Sequence, residues 1–236
     1  DAKHDNGLWN RLYGLSNMAT KPSIRVAIAG LGAIGMRVAR AIDAGDIEGV
    51  HLTAVAVADI PRGVRRIADF VSPPSVVTAD KLVDVADVIV ECAPAAIFEM
   101  LANPVIGQGK CLMPLSVGAL LNYPELVEQA KRTGAKIIVP TGALIGLDTV
   151  RAMAVGRIHE VTLQTRKPPQ GLAGAPHLVE NDIDISNLSE PLCILRGSAR
   201  EAARGFPANV NVAAALALAG IGPDKTQVEV WADPTI

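Results

Sequence analysis

The chain has 236 residues, half of them hydrophobic, with 19% charged, 3% aromatic and a net charge of −2. That length suits one or two domains, and a core made of Ala, Val, Ile and Leu is the composition of buried parallel sheets. The balance is weakly acidic, with no basic block and no interleaving of aromatic and basic residues, which points away from nucleic acid. No apolar stretch has the length of a membrane span. Cys92, Cys111 and Cys193 lack metal-ligand spacing, so reduced thiols in a cytoplasmic protein are the expectation.

Residues 1–23 read as a leader or extension. Asp1 to Asn17 hold Trp9 and Tyr13 in a chain poor in aromatics, and Met18 stands just ahead of the first strand as a start codon would; a native N-terminal arm is the alternative. Ile24 to Ala29 is a short apolar run bounded by Pro22 and Gly30, the pattern of a buried strand. The turn Gly30-Leu-Gly32-Ala-Ile34-Gly35 follows, then a helix over Ile34 to Ala44 that stops at Gly45. A second strand runs from His51 to Ala58 and ends at Asp59. A helix over Arg62 to Phe70 is broken by Ser72-Pro-Pro74, and Ser75 to Val77 is a brief strand.

Further strands are predicted over Asp87 to Glu91, Lys110 to Leu115 and Lys136 to Val139, with helices over Ala95 to Leu101 and Tyr123 to Thr133 between them. Strands and helices alternating at this spacing predict an α/β fold with a Rossmann-type, doubly wound parallel sheet over residues 24–142. From residue 143 the pattern changes. A helix over Gly146 to Val155, strands over Ile158 to Lys167 and Leu192 to Arg196, and helices opened by Ser198 and Asn209 describe a second, smaller α+β domain. Ser198 and Glu201 have the spacing of a capping box, and Asn209 is placed to cap the helix that ends at Ala219. Thr226 to Ala232 alternates as a strand does. It needs a neighbour and none follows in the chain, so it either pairs back on earlier elements or marks a domain whose C-terminal part lies beyond Ile236.

The glycine turn carries the clearest chemistry. Gly30 permits the tight bend, Gly32 lets the backbone approach a pyrophosphate, and Gly35 lets the helix pack closely on the sheet while its N-terminus faces the phosphates. Asp59 ends the next strand 24 positions after Gly35, placed to accept from the ribose hydroxyls of NAD. Arg62 can instead meet the 2′-phosphate of NADP, but a solvated helix start explains it better, which favours NAD over NADP. Ala93-Pro94, Ser116-Val-Gly118 and Thr141-Gly-Ala143 end three sheet strands on the edge where open α/β sheets bind ligands. In the second domain, Arg166 and Lys167 precede a rigid Pro-Pro and can hold a carboxylate-rich substrate. Asn211, one turn into its helix, is available for a polar contact to cofactor or substrate. No metal-ligand cluster is present, and no histidine has a recognisable catalytic partner, His177 being the least implausible base.

Taken in order, Gly30-Leu-Gly-Ala-Ile-Gly35, Ser116-Val-Gly-Ala-Leu120, Val139 to Asp148, Thr165-Arg-Lys-Pro-Pro169, Phe206 to Ala213 and Ala232-Asp-Pro234 closely resemble L-aspartate dehydrogenase. The resemblance runs from Ile24 to the end. It implies NAD(P)-dependent oxidation of L-aspartate to iminoaspartate, which yields oxaloacetate and ammonia or feeds NAD biosynthesis. It also implies a homodimer and nicotinamide-cofactor contacts from Ala143 and Asn211. The family's catalytic histidine follows shortly after the Ala-Asp-Pro segment, so the resemblance puts it beyond Ile236. Two other readings share the same plan: a reductase of the homoserine-dehydrogenase or dihydrodipicolinate-reductase type, and a non-catalytic dinucleotide-binding sensor.

Overall fold

A computed structural model of the chain describes residues 23–207 and 209–236. The proposed leader, with His4, Trp9 and Tyr13, lies outside the described residues except for Ser23. The N-terminal half is a six-stranded parallel sheet of β1 (Ile24–Ala29), β2 (Val50–Ala56), β3 (Ser75–Val77), β4 (Val88–Glu91), β5 (Cys111–Pro114) and β6 (Lys136–Ile137), in the spatial order β3-β2-β1-β4-β5-β6. The strand order reverses direction between β1 and β4, and ligands bind at such a point in open sheets. Side chains alternate between two buried layers. Ala27, Ala29, Ala54, Ile89 and Leu112 pack on one face with Leu82, Phe98, Leu101 and Leu126, while Val26, Ile28, Val55 and Val90 pack on the other with Ala39, Ile42, Ile67 and Phe70. A sheet covered on both faces explains why its strands read as continuous apolar runs.

The helices of this half are α1 (Ala33–Asp43), α2 (Ile60–Arg66), α3 (Leu82–Val85), α4 (Phe98–Gly107), α5 (Val117–Leu120) and α6 (Pro124–Thr133). Three expectations need correction. The second strand stops at Ala56, because Asp59 turns the chain into α2 by accepting a hydrogen bond from the Arg62 N–H at 2.9 Å. The helix expected to end at Leu101 runs to Gly107 through Pro104. Proline lacks the N–H that would reach the Met100 carbonyl, but Met100 is exposed, so water can satisfy that oxygen. Ser116-Val-Gly118 is not an open turn but the start of α5.

The smaller domain comprises α7 (Leu147–Met153), β7 (Thr162–Lys167), α8 (Pro176–Glu180), β8 (Leu192–Ser198), α9 (Ala199–Gly205), α10 (Asn211–Ala219) and β9 (Gln227–Ala232). Its sheet has the order β7-β9-β8. The last strand therefore pairs back on earlier elements, parallel to β7 and antiparallel to β8. Val228, Val230 and Ala232 face a core shared with α9 and α10, which also takes in Val117 and Leu121 of the first half. One apolar layer thus joins the small sheet to α5 of the first half.

The capping box is present: Ser198 Oγ accepts from the Glu201 N–H at 3.2 Å, and the Glu201 carboxylate accepts from the Ser198 N–H at 2.7 Å. Asn209 does not cap α10; its side-chain amide donates to the Gly171 carbonyl at 3.2 Å, and Val210 occupies the cap position. Replacing Ser198 by Ala should lower the unfolding free energy by about 1 kcal/mol, read as a lower denaturant midpoint with an unchanged slope; no change in midpoint would mean that Glu201 holds the turn alone.

Candidate functional site

The C-terminal edge of the large sheet is assembled by close backbone approaches. Gly30 has φ of +94°, and a Cβ there would lie 2.5 Å from the Cys92 carbonyl oxygen; a Cβ on Gly35 would lie 2.0 Å from the Gly30 carbonyl oxygen. Both positions accept only hydrogen. Gly32 is different: it has ordinary φ, nothing lies within 4 Å of where its Cβ would be, and it is exposed at the head of α1. The protein itself does not demand glycine there. The space in front of it, beside the N–H groups of the first turn of α1, fits a pyrophosphate. Ile34 is 58% exposed in the same turn, as expected of a side chain that borders a bound group rather than the core.

Next to this turn a cavity of about 370 Å³ opens between the ends of β1, β2 and β4. It is lined by Gly30, Val57, Thr78, Ala93, Ile97 and Met100, among others. A narrow, largely apolar slot beside a phosphate cradle suits a purine ring. Thr78, Ile97 and Met100 were not read from the sequence, because they come from a loop and a helix start with no motif of their own. Asp59 is exposed at the end of the β2 segment; capping α2 engages Oδ1 and orients the carboxylate.

On the other side of β1, the turns after β4 and β5 are held by one side chain that the sequence did not single out. Glu91 is completely buried. Its Oε1 accepts from the Ala93 N–H at 2.9 Å and the Ser116 hydroxyl at 3.1 Å, and its Oε2 accepts from the Ser116 N–H at 2.9 Å. Burial pushes its carboxyl above the usual range while these hydrogen bonds pull the other way. Burial, with the neighbouring Glu91 charge, pushes the Cys92 thiol up to about 11, so Cys92 is no nucleophile at neutral pH. The available signal was a lone acidic residue closing an otherwise apolar strand.

Asn211 reaches this edge from the smaller domain. Its Oδ1 accepts from the Gly118 N–H at 2.9 Å, which leaves its NH₂ as the donor that can be offered to a ligand. A Cβ on Gly118 would press within 3.2 Å of that same oxygen. Thus the structure brings Gly30, Gly32, Gly35, Ala93, Ser116 and Asn211 together. Ala143 lies in the exposed turn between β6 and α7.

Arg166 and Lys167 are adjacent on β7 and so point to opposite faces. Lys167, half-buried, is opposite Ala232 on the face turned to the helices. Arg166 lies on the other face, stacked over Trp231 at 5.1 Å and paired with Asp233 at 3.2 Å. His177 Nε2 is 3.0 Å from the Ile194 carbonyl and the ring packs on Phe206, a structural role. Among the described residues no group of three or more His, Cys, Asp and Glu is placed to hold a metal, and no helix is long and apolar enough to cross a membrane.

Residues 30–140 match the family model for the homoserine dehydrogenase NAD binding domain, and residues 148–236 match the one for the C-terminal part of aspartate dehydrogenase. The chain is 50% identical to an L-aspartate dehydrogenase of Bradyrhizobium diazoefficiens over 94% of its own length and 79% of that protein. It is 51% identical to L-aspartate dehydrogenase 3 of Bordetella bronchiseptica, over 93% of this chain and 80% of that one. The crystal structure of an aspartate dehydrogenase from Thermotoga maritima superposes with a TM-score of 0.64 at 22% identity, covering 90% of this chain and 80% of that chain, a likeness of fold.

Replacing Gly32 by Ala should leave the melting temperature within about 2 °C yet weaken NADH binding about tenfold or more, since only a bound pyrophosphate needs that space. Gly35→Ala should instead destabilise the protein outright. Equal NADH affinity in Gly32→Ala and wild type, measured by fluorescence titration, would place the pyrophosphate elsewhere.

Proposed function

The chain belongs to the L-aspartate dehydrogenase family, and from that premise we propose how its residues serve the NAD(P)-dependent oxidative deamination of L-aspartate. The observation that carries the reading is the 50% identity to an L-aspartate dehydrogenase across both halves of the molecule; the homoserine-dehydrogenase-type match is confined to residues 30–140, so it does not extend to the substrate-side half. The product iminoaspartate hydrolyses to oxaloacetate and ammonia.

Gly30, Gly32, Gly35 and the N-terminus of α1 hold the pyrophosphate, and Ile34 borders it. Asp59 accepts from the ribose hydroxyls, and the slot between Val57, Ile97 and Met100 takes the adenine. When bound, the nicotinamide cofactor supplies the acceptor for the hydride that leaves the substrate Cα. Ala93, Ser116 and Ala143 shape the edge against the ring, and the Asn211 amide donates to it. Orientation of this kind is the main contribution the protein makes to a hydride transfer. The substrate amine must lose its proton first, to a base or to water. Lys167 is the first choice for a substrate carboxylate, because it faces the helical side of the sheet; Arg166 reaches a substrate only by giving up Asp233.

The division at residues 142/143, from the change of element pattern, a cytoplasmic location, from the unpaired cysteines, and a homodimer, from the resemblance, complete the proposal. Sedimentation equilibrium giving twice the chain mass tests the dimer.

The full-length enzyme should form NADH or NADPH with L-aspartate and prefer it over monocarboxylic amino acids. Turnover of homoserine or reduction of a cyclic imine instead, or cofactor binding without turnover of any substrate, would overturn the assignment. Lys167→Met should raise the KM for aspartate about tenfold or more with the cofactor KM little changed, the cost of losing one charge-assisted contact; an unchanged aspartate KM would remove Lys167 from the site.

A further inference from the structure

Glu91 is the one fully buried carboxylate side chain among the described residues, and it makes no ion pair there. Such a group is expensive to keep unless it does something an apolar residue cannot. All three of its partners are donors, two of them backbone N–H groups belonging to different turns: Ala93 after β4 and Ser116 after β5. The sheet alone does not set the distance between those turns, because the parallel pairing of β4 with β5 ends at Glu91 and Pro114. Beyond that point the backbone bond from Leu115 to the Glu91 carbonyl is the last rung, and the side chain continues the connection.

Each end of this bridge leads to a part of the candidate site. The residue between Glu91 and Ala93 is Cys92, whose carbonyl presses on Gly30 and whose Cβ faces Gly35. Ser116 heads α5, whose Gly118 N–H holds Asn211 of the smaller domain. A continuous path of contacts therefore runs from the phosphate turn through Cys92, Glu91, Ser116 and Gly118 to Asn211, and Glu91 is its only charged link.

We propose that Glu91 is a positioning residue for hydride transfer: its buried carboxylate locks the turns after β4 and β5 together and so holds the phosphate turn in register with Asn211 across the two domains. The inference rests on the dehydrogenase reading above. An amide cannot replace the carboxylate. Whichever way a glutamine side chain is turned, its NH₂ faces one of the two backbone N–H groups, donor against donor, and that turn is released. Ser116→Ala removes the hydroxyl's contacts to Glu91 and, at 3.4 Å, to the Ala93 carbonyl, and leaves both backbone bonds.

Wild-type turnover of aspartate tests the dehydrogenase reading by itself; the ratio of variant to wild type tests Glu91. For Glu91→Gln we expect kcat to fall about tenfold or more, the KM for aspartate to change less than about threefold, and the melting temperature to stay within about 5 °C. In the cofactor-free protein, hydrogen exchange at the amides of Ala93 and Ser116 should speed up about tenfold or more relative to the β1 amides. Ser116→Ala should shift kcat in the same direction by about threefold. Unchanged kcat and unchanged exchange in Glu91→Gln would overturn the proposal. So would a parallel loss of stability, cofactor binding and turnover, which would make Glu91 merely structural. Should Glu91→Gln not fold, an unchanged kcat in Ser116→Ala overturns it and a lowered kcat with normal cofactor affinity sustains it.

Discussion

The closeness of α1 to the C-terminal ends of the parallel neighbours β1 and β4 is the constraint on which the rest of the site depends. A Cβ on Gly35 would sit 2.0 Å from the Gly30 carbonyl and 3.2 Å from the Cys92 side chain. With hydrogen at that position, the helix N-terminus comes down onto the sheet edge, and its unsatisfied N–H groups face the space in front of Gly32. The same closeness couples the phosphate turn to the strand end that carries Glu91. The glycine turn and the turn after β4 thus share one stretch of backbone.

The two domains meet through contacts of two kinds. The apolar layer containing Val117, Leu121, Phe206, Val210 and Ala214 supplies burial, which is non-directional. Direction comes from polar bonds: Gly118 to Asn211, and Arg200, whose guanidinium donates to the Leu121 carbonyl while Nε and Nη2 bind Asp224 at 2.6 and 3.0 Å. The partly buried bonds to Asn211 and the Leu121 carbonyl add little net stability but disfavour misaligned arrangements that leave the groups unpaired. A dehydrogenase needs that selectivity, since small errors in the orientation of donor and acceptor cost rate.

The outer face of the small sheet has a different character. Glu229 accepts from Gln164, Arg196 and Trp231 at 2.9, 2.8 and 3.0 Å, and Arg166 stacks on Trp231. The bond from Gln164 first, then those from Trp231 and Arg196, hold the Glu229 carboxyl below its usual range. The position of β9 between β7 and β8 makes this ladder possible, because only a central strand has cross-strand neighbours on both sides.

Much of the molecule was legible in the residues alone. The alternation of apolar runs with helices set the doubly wound sheet. The spacing of Gly30, Gly32 and Gly35 marked a tight strand-to-helix turn, and Ser198 with Glu201 marked a helix start, because each depends on chemistry within a few residues. The ordered motifs identified the family. Four things depended on contacts between distant segments, and only the tertiary structure decided them. Asn209 was a plausible cap until the fold turned its amide to Gly171. Arg166 and Lys167 alternate as strand neighbours must, but only the pairing of β7 with β9 decides that Lys167 takes the face turned to the helices. β9 had no visible partner until the chain brought β7 and β8 to either side of it. Glu91 looked like the end of a strand, and its role emerged only when Ser116, 25 residues away, came within hydrogen-bond distance. Local pattern determines what each segment becomes; what a polar side chain does depends on which donors the fold carries to it.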